Sequence, residues 1–158
     1  MRAIMQPLIC SAAIASGFKQ WRSVIRAGNR AFESADYSSA IRSYQVACSI
    51  AQGLFGGDEE ADSGVAILVI SHHNLADAYG LLGCDEEQAL QLCAIHERLC
   101  QAMEDPELDE SWRSAALRHS RRTYAELTCF VRHHPWHTRA RITMVLGATA
   151  PQSALHIH

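Results

Sequence analysis

The sequence contains no sustained alternation of apolar and polar residues, the period-two pattern that is typical of β-strands. The nucleophile-elbow, phosphate-loop, dinucleotide and metalloprotease motifs are missing as well, and no base–nucleophile pairing is visible among the nine histidines. With 48% hydrophobic and 20% charged residues, the composition indicates neither a disordered chain nor a membrane span. The 158 residues are therefore predicted to form one globular domain, in which no sequence motif indicates a catalytic site.

Helical spacing of apolar residues recurs along the chain instead. The first run places apolar or small residues at three- and four-residue steps, at Phe18, Trp21, Val24, Ile25, Gly28 and Phe32. The same spacing predicts four further helices over about 38–52, 63–82, 85–103 and 105–133. The chain is therefore predicted to be all-α with about five helices.

Residues that favour helix ends lie between these runs. Ser38 is the predicted N-cap of the second helix, and Gly83 suits the left-handed conformation that often follows a helix. Asp85 with Gln88 fits a capping box at the fourth helix. Asp105-Pro106 fits an N-cap followed by a first-turn proline, and predicts where the fifth helix begins.

Two stretches resemble the tetratricopeptide repeat, a helix-turn-helix unit of about 34 residues. In GNRAFESADYSSAIRSYQVA, Gly28 stands where the two helices of a repeat approach closely, and Ala40 fills the matching small position. In NLADAYGLLGCDEEQAL, Ala76 and Ala89 occupy the corresponding places. The resemblance implies close helix-to-helix contact at both pairs of small residues.

The resemblance also implies an architecture and a function. It implies a right-handed stack of about five antiparallel helices, made of two helix pairs and a long capping helix. This stack spans residues 18–134, between an N-terminal segment over 1–17 and a C-terminal tail over 135–158. The family's usual role is to bind a protein or peptide in a concave groove, without catalysis and without a cofactor.

Groove positions carried over from the repeat family fall on three helices. They are Arg22, Ile25, Asn29, Phe32 and Glu33 on the first helix, His73, Asn74, Asp77 and Leu81 on the third, and Arg113 and Arg121 on the fifth. The neighbouring His72 falls at a core position of the repeat, so the resemblance implies that it packs inward while His73 faces the groove. Adjacent helical side chains point about 100° apart, which argues against a joint two-histidine metal site.

Cys93, His96 and Cys100 form the best alternative site, because they share one helix face and combine thiolate and imidazole donors, which suit zinc. Such a site would need a fourth ligand, and His119 and Cys129 on the fifth predicted helix are candidates for it. The competing interpretation is that Cys93 and His96 occupy core positions of the second repeat. A metal- or redox-responsive helical protein is therefore an alternative hypothesis.

Charge is strongly segregated along the chain. Residues 1–56 carry a net charge of +4, residues 57–110 carry −13 and residues 111–158 carry +6. The C-terminal basic cluster contains Arg118, Arg121, Arg122, Arg132, His133 and His134. Because the pI is about 6.3 and no DNA- or RNA-binding motif is present, pairing of this block with the acidic block is favoured over nucleic-acid binding.

The six cysteines lie mostly within helical patterns, which favours free thiols in a reducing compartment over disulfides. The N-terminal MRAIMQPLICSAAIASG has a weak resemblance to a secretory signal, but Gln6 and Pro7 interrupt its apolar run. The expected location is therefore the cytoplasm, without membrane association. A small secretion chaperone is a further functional alternative, and an uncovered apolar flank could support a homodimer.

Overall fold

The computed structural model describes residues 5–149, with side chains described over 16–147, and every regular element in this part of the chain is an α-helix. The helices are α1 (Met5–Glu33), α2 (Tyr37–Leu54), α3 (Ala61–Leu81), α4 (Asp85–Glu104), α5 (Glu110–His133) and α6 (Thr138–Thr149). The predicted all-α class is confirmed. The described residues form six helices rather than about five.

Each helix packs against the next one in the chain, and further contacts join α3 to α5 and α4 to α6. The apolar core follows these contacts in three clusters. Tyr44 lies in the cluster formed by α1, α2 and α3, while Leu68 and Trp112 lie in the one formed mainly by α3, α4 and α5. Leu127 and Ala140 belong to the third, which joins α5 and α6 to α3 and α4. Apolar burial therefore continues from α1 to α6.

The small residues predicted at helix crossings are buried. A side chain at Gly28 would place its Cβ 2.5 Å from Cε1 of Tyr44, so only glycine allows α1 and α2 to approach this closely. The nearest atoms to Gly28 belong to Tyr44 and not to Ala40, although Ala40 is fully buried in the same region. Ala76 and Ala89 are also buried, and they lie in one cluster.

A residue with positive φ lies two positions after the end of α1 and two positions after the end of α3. Gly83 follows α3 with a φ of 72°, and the next residue, Cys84, donates its N–H to the carbonyl of Tyr79 at 2.9 Å. This is the left-handed helix end that the sequence predicts. Ala35 follows α1 with a φ of 59°, which is strained because a Cβ disfavours the left-handed region.

Two of the predicted N-caps are wrong by one or two residues. Asp36, and not Ser38, caps α2, because its carboxylate accepts the backbone N–H of Ser39 at 3.1 Å. Helix α4 begins at Asp85 itself, with Cys84 as N-cap and no side-chain capping bond, so the capping box predicted at Asp85 does not form.

The predicted start of the fifth helix is also wrong. Asp105 accepts the backbone N–H of Glu107 at 2.9 Å and holds a turn in place of a helix. Helix α5 begins at Glu110, after Asp109. An aspartate before a proline can accept a backbone N–H either as the N-cap of a helix or within a turn, and at Asp105-Pro106 it does so within a turn.

The predicted boundary at 17/18 lies inside α1, and the one at 134/135 falls in the turn between α5 and α6. Helix α1 runs across the first boundary, and α6 follows the second and packs against α4 and α5. Residues 1–4 and 150–158, at the outer ends of the predicted N-terminal segment and tail, lie outside the described residues. Over 5–149, no helix combines the length and the apolar character that crossing a membrane requires.

Candidate functional site

Two adjoining depressions form a cleft where α1 and α3 end. Their volumes are about 260 Å³ and 430 Å³, and Phe32 and Asp77 line both of them. We call their union the α1–α3 cleft; it is lined by Asn29, Phe32, Glu33, Tyr44, Asn74, Asp77, Gly80, Leu81, Asp85, Gln88 and His134. The cleft thus collects side chains from α1 to α4 and from the residue that follows α5.

Helical spacing explains why these side chains face the same space. Asn29 and Glu33 lie one turn apart on α1, and Asn74, Asp77 and Leu81 follow one another on a single face of α3. Both helices continue to the cleft without interruption, and a residue with positive φ follows two positions after each. Two rigid helical rims therefore position the lining residues.

The two asparagines meet across the cleft. Oδ1 of Asn29 accepts a hydrogen bond from the Tyr44 hydroxyl at 2.9 Å and another from Nδ2 of Asn74 at 3.2 Å. These contacts use the oxygen of one amide and the nitrogen of the other. An NH₂ donor on Asn29 and a carbonyl acceptor on Asn74 remain to bind a ligand.

The electrostatic environment of the cleft is negative. Burial raises the pKa of Asp77, the charge of Glu126 raises it further, and Arg122 lowers it. Burial also raises the pKa of Tyr44 to about 12, with contributions from the carboxylates of Asp77 and Glu33. Negative charge on Tyr44 and Asp77 is therefore disfavoured, mainly by burial and to a smaller extent by the neighbouring carboxylates.

A histidine-rich turn closes the far end of the cleft. His134 pairs with Asp85 at 3.4 Å, and the next histidine along the turn, His137, pairs with Glu86 at 3.1 Å. The ring of Phe130 stacks on His134 with a centroid separation of 4.2 Å. The turn between α5 and α6 is thereby attached to the first residues of α4.

The sequence model of DUF2753, a family of proteins of unknown function, matches residues 19–154 and so covers most of the chain. The chain belongs to the DUF2753 family. No curated protein and no solved structure matches it. The α1–α3 cleft lies entirely within the part of the chain that the DUF2753 model covers.

Six of the groove positions predicted for this DUF2753 protein line the cleft. They are Asn29, Phe32, Glu33, Asn74, Asp77 and Leu81. Ile25 and His73 lie in the interior and not in the cleft, since they are only 5% and 6% exposed. Arg22 and Arg121 are exposed and Arg113 is half-buried, but none of the three is among the described lining residues.

The histidine pair is arranged differently from the prediction. His72 is half-buried, and its Nδ1 lies 2.9 Å from Oε1 of Gln91. His73 is the more deeply buried ring, and neither of its nitrogens has a hydrogen-bond partner. Burial, assisted by Arg122 and His72, lowers the pKa of His73 to about 4, so this ring is neutral at physiological pH.

The predicted metal ligands of this DUF2753 protein do not converge on one point. His96 places Nδ1 2.8 Å from Oγ1 of Thr123 and Nε2 3.7 Å from Sγ of Cys100, so both of its nitrogens have partners. Cys93 instead lies beside Thr143, and burial raises the pKa of its thiol. Among the described residues no three histidine, cysteine, aspartate or glutamate side chains are arranged to hold a metal.

Pairing between the acidic and basic blocks is observed. Arg118 donates to Asp62 at 2.9 Å, and His119, one of the two candidates for a fourth metal ligand, lies 3.2 Å from the same carboxylate. Arg139 approaches Glu97 at 3.6 Å. Part of the C-terminal basic block therefore forms ion pairs with carboxylates of the same domain.

Several residues of the cleft were not identified from the sequence. Tyr44, Asp85, Gln88 and His134 line it, although they were not among the predicted groove positions. Arg122 and Glu126 act on the pKa of Asp77 from α5. The sequence shows that Arg122 and Glu126 lie one turn apart on the same helix face. It does not show that this face lies near Asp77, which depends on the packing of α5 against α3.

Proposed function

We propose that this DUF2753 protein is a non-enzymatic module that binds a protein or peptide segment in the α1–α3 cleft. The observation that carries the proposal is the convergence of Asn29, Asn74 and Asp77, which come from two helices distant in sequence, on one cleft. The cleft is open and has mixed polar and apolar walls, which suits an extended segment.

The proposed architecture is a tetratricopeptide-like stack in which α5 and α6 form a third helix pair. Two sets of contacts support it. Each helix packs on the next one, and between the second and third pairs the first helices meet, α3 with α5, as do the second helices, α4 with α6. Stacked helical repeats bury their apolar faces in this way. The groove of such a stack is lined by the first helix of each pair, which corresponds to α1, α3 and α5.

The asparagine pair supports a peptide ligand. The remaining NH₂ of Asn29 and carbonyl of Asn74 offer one donor and one acceptor side by side. A peptide group in an extended chain presents the complementary acceptor and donor. These hydrogen bonds would recognise the backbone of the peptide, and the neighbouring side chains of the cleft would determine which peptide sequences bind.

The test is partner capture by purified protein from a lysate of the source organism, followed by mass spectrometry. In the double variant Asn74→Ala with Asp77→Ala, we expect the captured partner to be lost while the melting temperature is kept. Asn29 is left unchanged because it accepts the hydrogen bond from the buried Tyr44, and its removal would disturb the fold.

The matched control removes one amide and one carboxylate outside the cleft, with Gln52→Ala and Glu104→Ala at two exposed positions. This variant should capture the partner as the wild type does. Undiminished capture by the cleft variant would reject the proposed function. If the captured partner is the chain itself, the cleft is a self-association site, and sedimentation of the purified protein will show a cleft-dependent dimer.

We also propose that the module works in the cytoplasm, in a reducing environment. The described cysteines are all free, and burial raises the pKa of Cys48 to about 12. Thiols of this kind are typical of proteins that are never oxidised during maturation. Fractionation of cells that produce the tagged chain tests the location, and recovery from an extracytoplasmic fraction would contradict it.

A further inference from the structure

We propose that this DUF2753 protein forms a reversible homodimer through the outer face of α6, which pairs with the same face of a second copy about a two-fold axis. This surface lies outside the α1–α3 cleft and is independent of the function proposed for the cleft. Three observations support the dimer: the side chains that α6 buries and exposes, the polarity of the opposite end of the fold, and the charges around the exposed face.

Helix α6 packs against its own domain through small residues. Ala140, Thr143 and Gly147 are buried at three- and four-residue steps, on the side of the helix that meets α4 and α5. The larger apolar side chains of Ile142 and Val145 remain 54% and 59% exposed. A helix that packed only within its own domain would place its larger apolar side chains on the inner face, because their burial stabilises the fold.

The exposed residues of α6 form one stripe. Thr138, Ile142 and Val145 follow one another at four- and three-residue steps, and Leu146 adjoins them with 67% of its surface exposed. A shallow groove of about 450 Å³ lies along this stripe. Over 142–147 every exposed residue is apolar. Such a stripe fits a helix–helix contact, in which side chains of one helix enter the groove on the other.

The opposite end of the row of packed helices is polar. Every exposed residue of α1 over 16–33 is polar, and the exposed residues of α2 are polar apart from Val46 and Gly53. Stacked helices need polar outer faces where the stack ends in water. The α1–α2 end has such a face and the α6 end does not. In a second copy, therefore, α1 and α2 offer little apolar surface to cover α6, whereas the other α6 offers a matching stripe.

Charge does not oppose the contact between two α6 helices. Helix α6 contains no carboxylate, and one of its two arginines, Arg139, approaches Glu97 of α4 at 3.6 Å. The other, Arg141, is exposed at the edge of the stripe. There its methylene groups can cover apolar surface while the guanidinium stays in water. The unpaired charge of each copy therefore lies at the rim of the contact and not at its centre.

The size of the stripe determines the strength of the dimer. The exposed apolar side chains and the rim around them give roughly 500 Å² per copy, so that the contact buries about 1,000 Å² in total. Contacts of this size form weak and reversible complexes, whereas permanent dimers bury about 2,000 Å² or more. The expected dissociation constant is therefore in the micromolar range.

Sedimentation of the purified full chain over about 5–500 μM measures the association. We expect the wild type to change from monomer to dimer across this range. Ile142→Glu should raise the dissociation constant at least about tenfold, because each copy would bury a charge against apolar surface. Val145→Gln, which removes apolar surface without adding a charge, should weaken the dimer as well. Both positions are exposed in the monomer, so circular dichroism should show unchanged helicity.

Two controls locate the contact. Val46→Glu places the same charge at an exposed apolar position of α2 and should leave the dimer intact. The cleft variant Asn74→Ala with Asp77→Ala should also remain a dimer. A dimer that only the cleft variant dissociates would overturn the assignment to α6 and would place self-association at the cleft.

Mixing of opposite charges tests the two-fold pairing. Ile142→Lys alone should dissociate like Ile142→Glu, and an equal mixture of the two should associate again, because the centres of the two stripes then carry opposite charges. A mixture that stays monomeric overturns the pairing of α6 with α6. A wild type that stays monomeric at the highest concentration, or a dimer that Ile142→Glu and Val145→Gln leave intact, overturns the homodimer through α6 and assigns the stripe to a different occupant.

Discussion

Replacement of Gly28 by alanine tests how α1 and α2 hold the cleft together. The added methyl carbon would lie 2.5 Å from Cε1 and 2.7 Å from Cδ1 of Tyr44, well inside van der Waals contact. Tyr44 is 2% exposed, and its hydroxyl donates to Asn29 at 2.9 Å, so the ring has little room to move away.

Three contributions set the expected size of the effect. Overpacking of a buried contact costs about 1–3 kcal/mol. A shift of the Tyr44 ring weakens its hydrogen bond to Asn29, at a further cost of about 1 kcal/mol. Alanine is a better helix former than glycine and returns about 1 kcal/mol. The net loss in the free energy of unfolding is then about 2 kcal/mol, a fall of roughly 4–8 °C in Tm for a domain of this size.

Thermal and urea unfolding followed by circular dichroism measure this loss. The control is Gly53→Ala in α2, where a new Cβ meets nothing within 4 Å, so only the gain in helix propensity remains and the variant should be more stable. Placing Gly28→Ala in a Tyr44→Leu background should recover most of the loss. If Gly28→Ala melts like the wild type while the control behaves as expected, the close approach at Gly28 is refuted.

Three further predictions concern single groups. Ala35→Gly should raise the free energy of unfolding by about 0.5–1 kcal/mol in urea titrations, because it relieves the positive φ that follows α1. Asp77→Asn should stabilise the unliganded protein at pH 7 and lose that advantage at pH 3, since the raised pKa of Asp77 means that its charge opposes folding above the titration range. The free energy of unfolding should decrease as pH falls from about 6.5 towards 4, because His73 takes up a proton in the unfolded chain before the buried ring does so in the fold. His73→Phe should flatten this part of the pH–stability profile. An unchanged slope would contradict the lowered pKa of His73.

Periodicity was enough to predict the helices, since apolar spacing is a local property of the chain. It failed where one local signal is compatible with two structures. Asp105-Pro106 holds a turn, and Asp36 in place of Ser38 caps α2. Helix α6 was not predicted, because its exposed face includes Ile142 and Val145 and so blurs the amphipathic pattern.

The cleft was predictable where its residues share a helix face, as Asn74 and Asp77 do on α3. It was not predictable where the rotation of a helix decides burial. His73 adjoins Asn74 in sequence and still points into the interior. Glu126 depends on the lateral placement of α5, which no local pattern encodes.

The attachment of α6 has a practical consequence for shortened forms of the chain. Gly147 lies directly against the ring of His96, Ala140 is fully buried, and the pair of His137 with Glu86 fixes the start of the helix. Cutting before Thr138 would open this whole flank to water, so such a truncate should aggregate and be digested rapidly by proteases. Fragments intended for crystallisation or binding assays should keep the last helix.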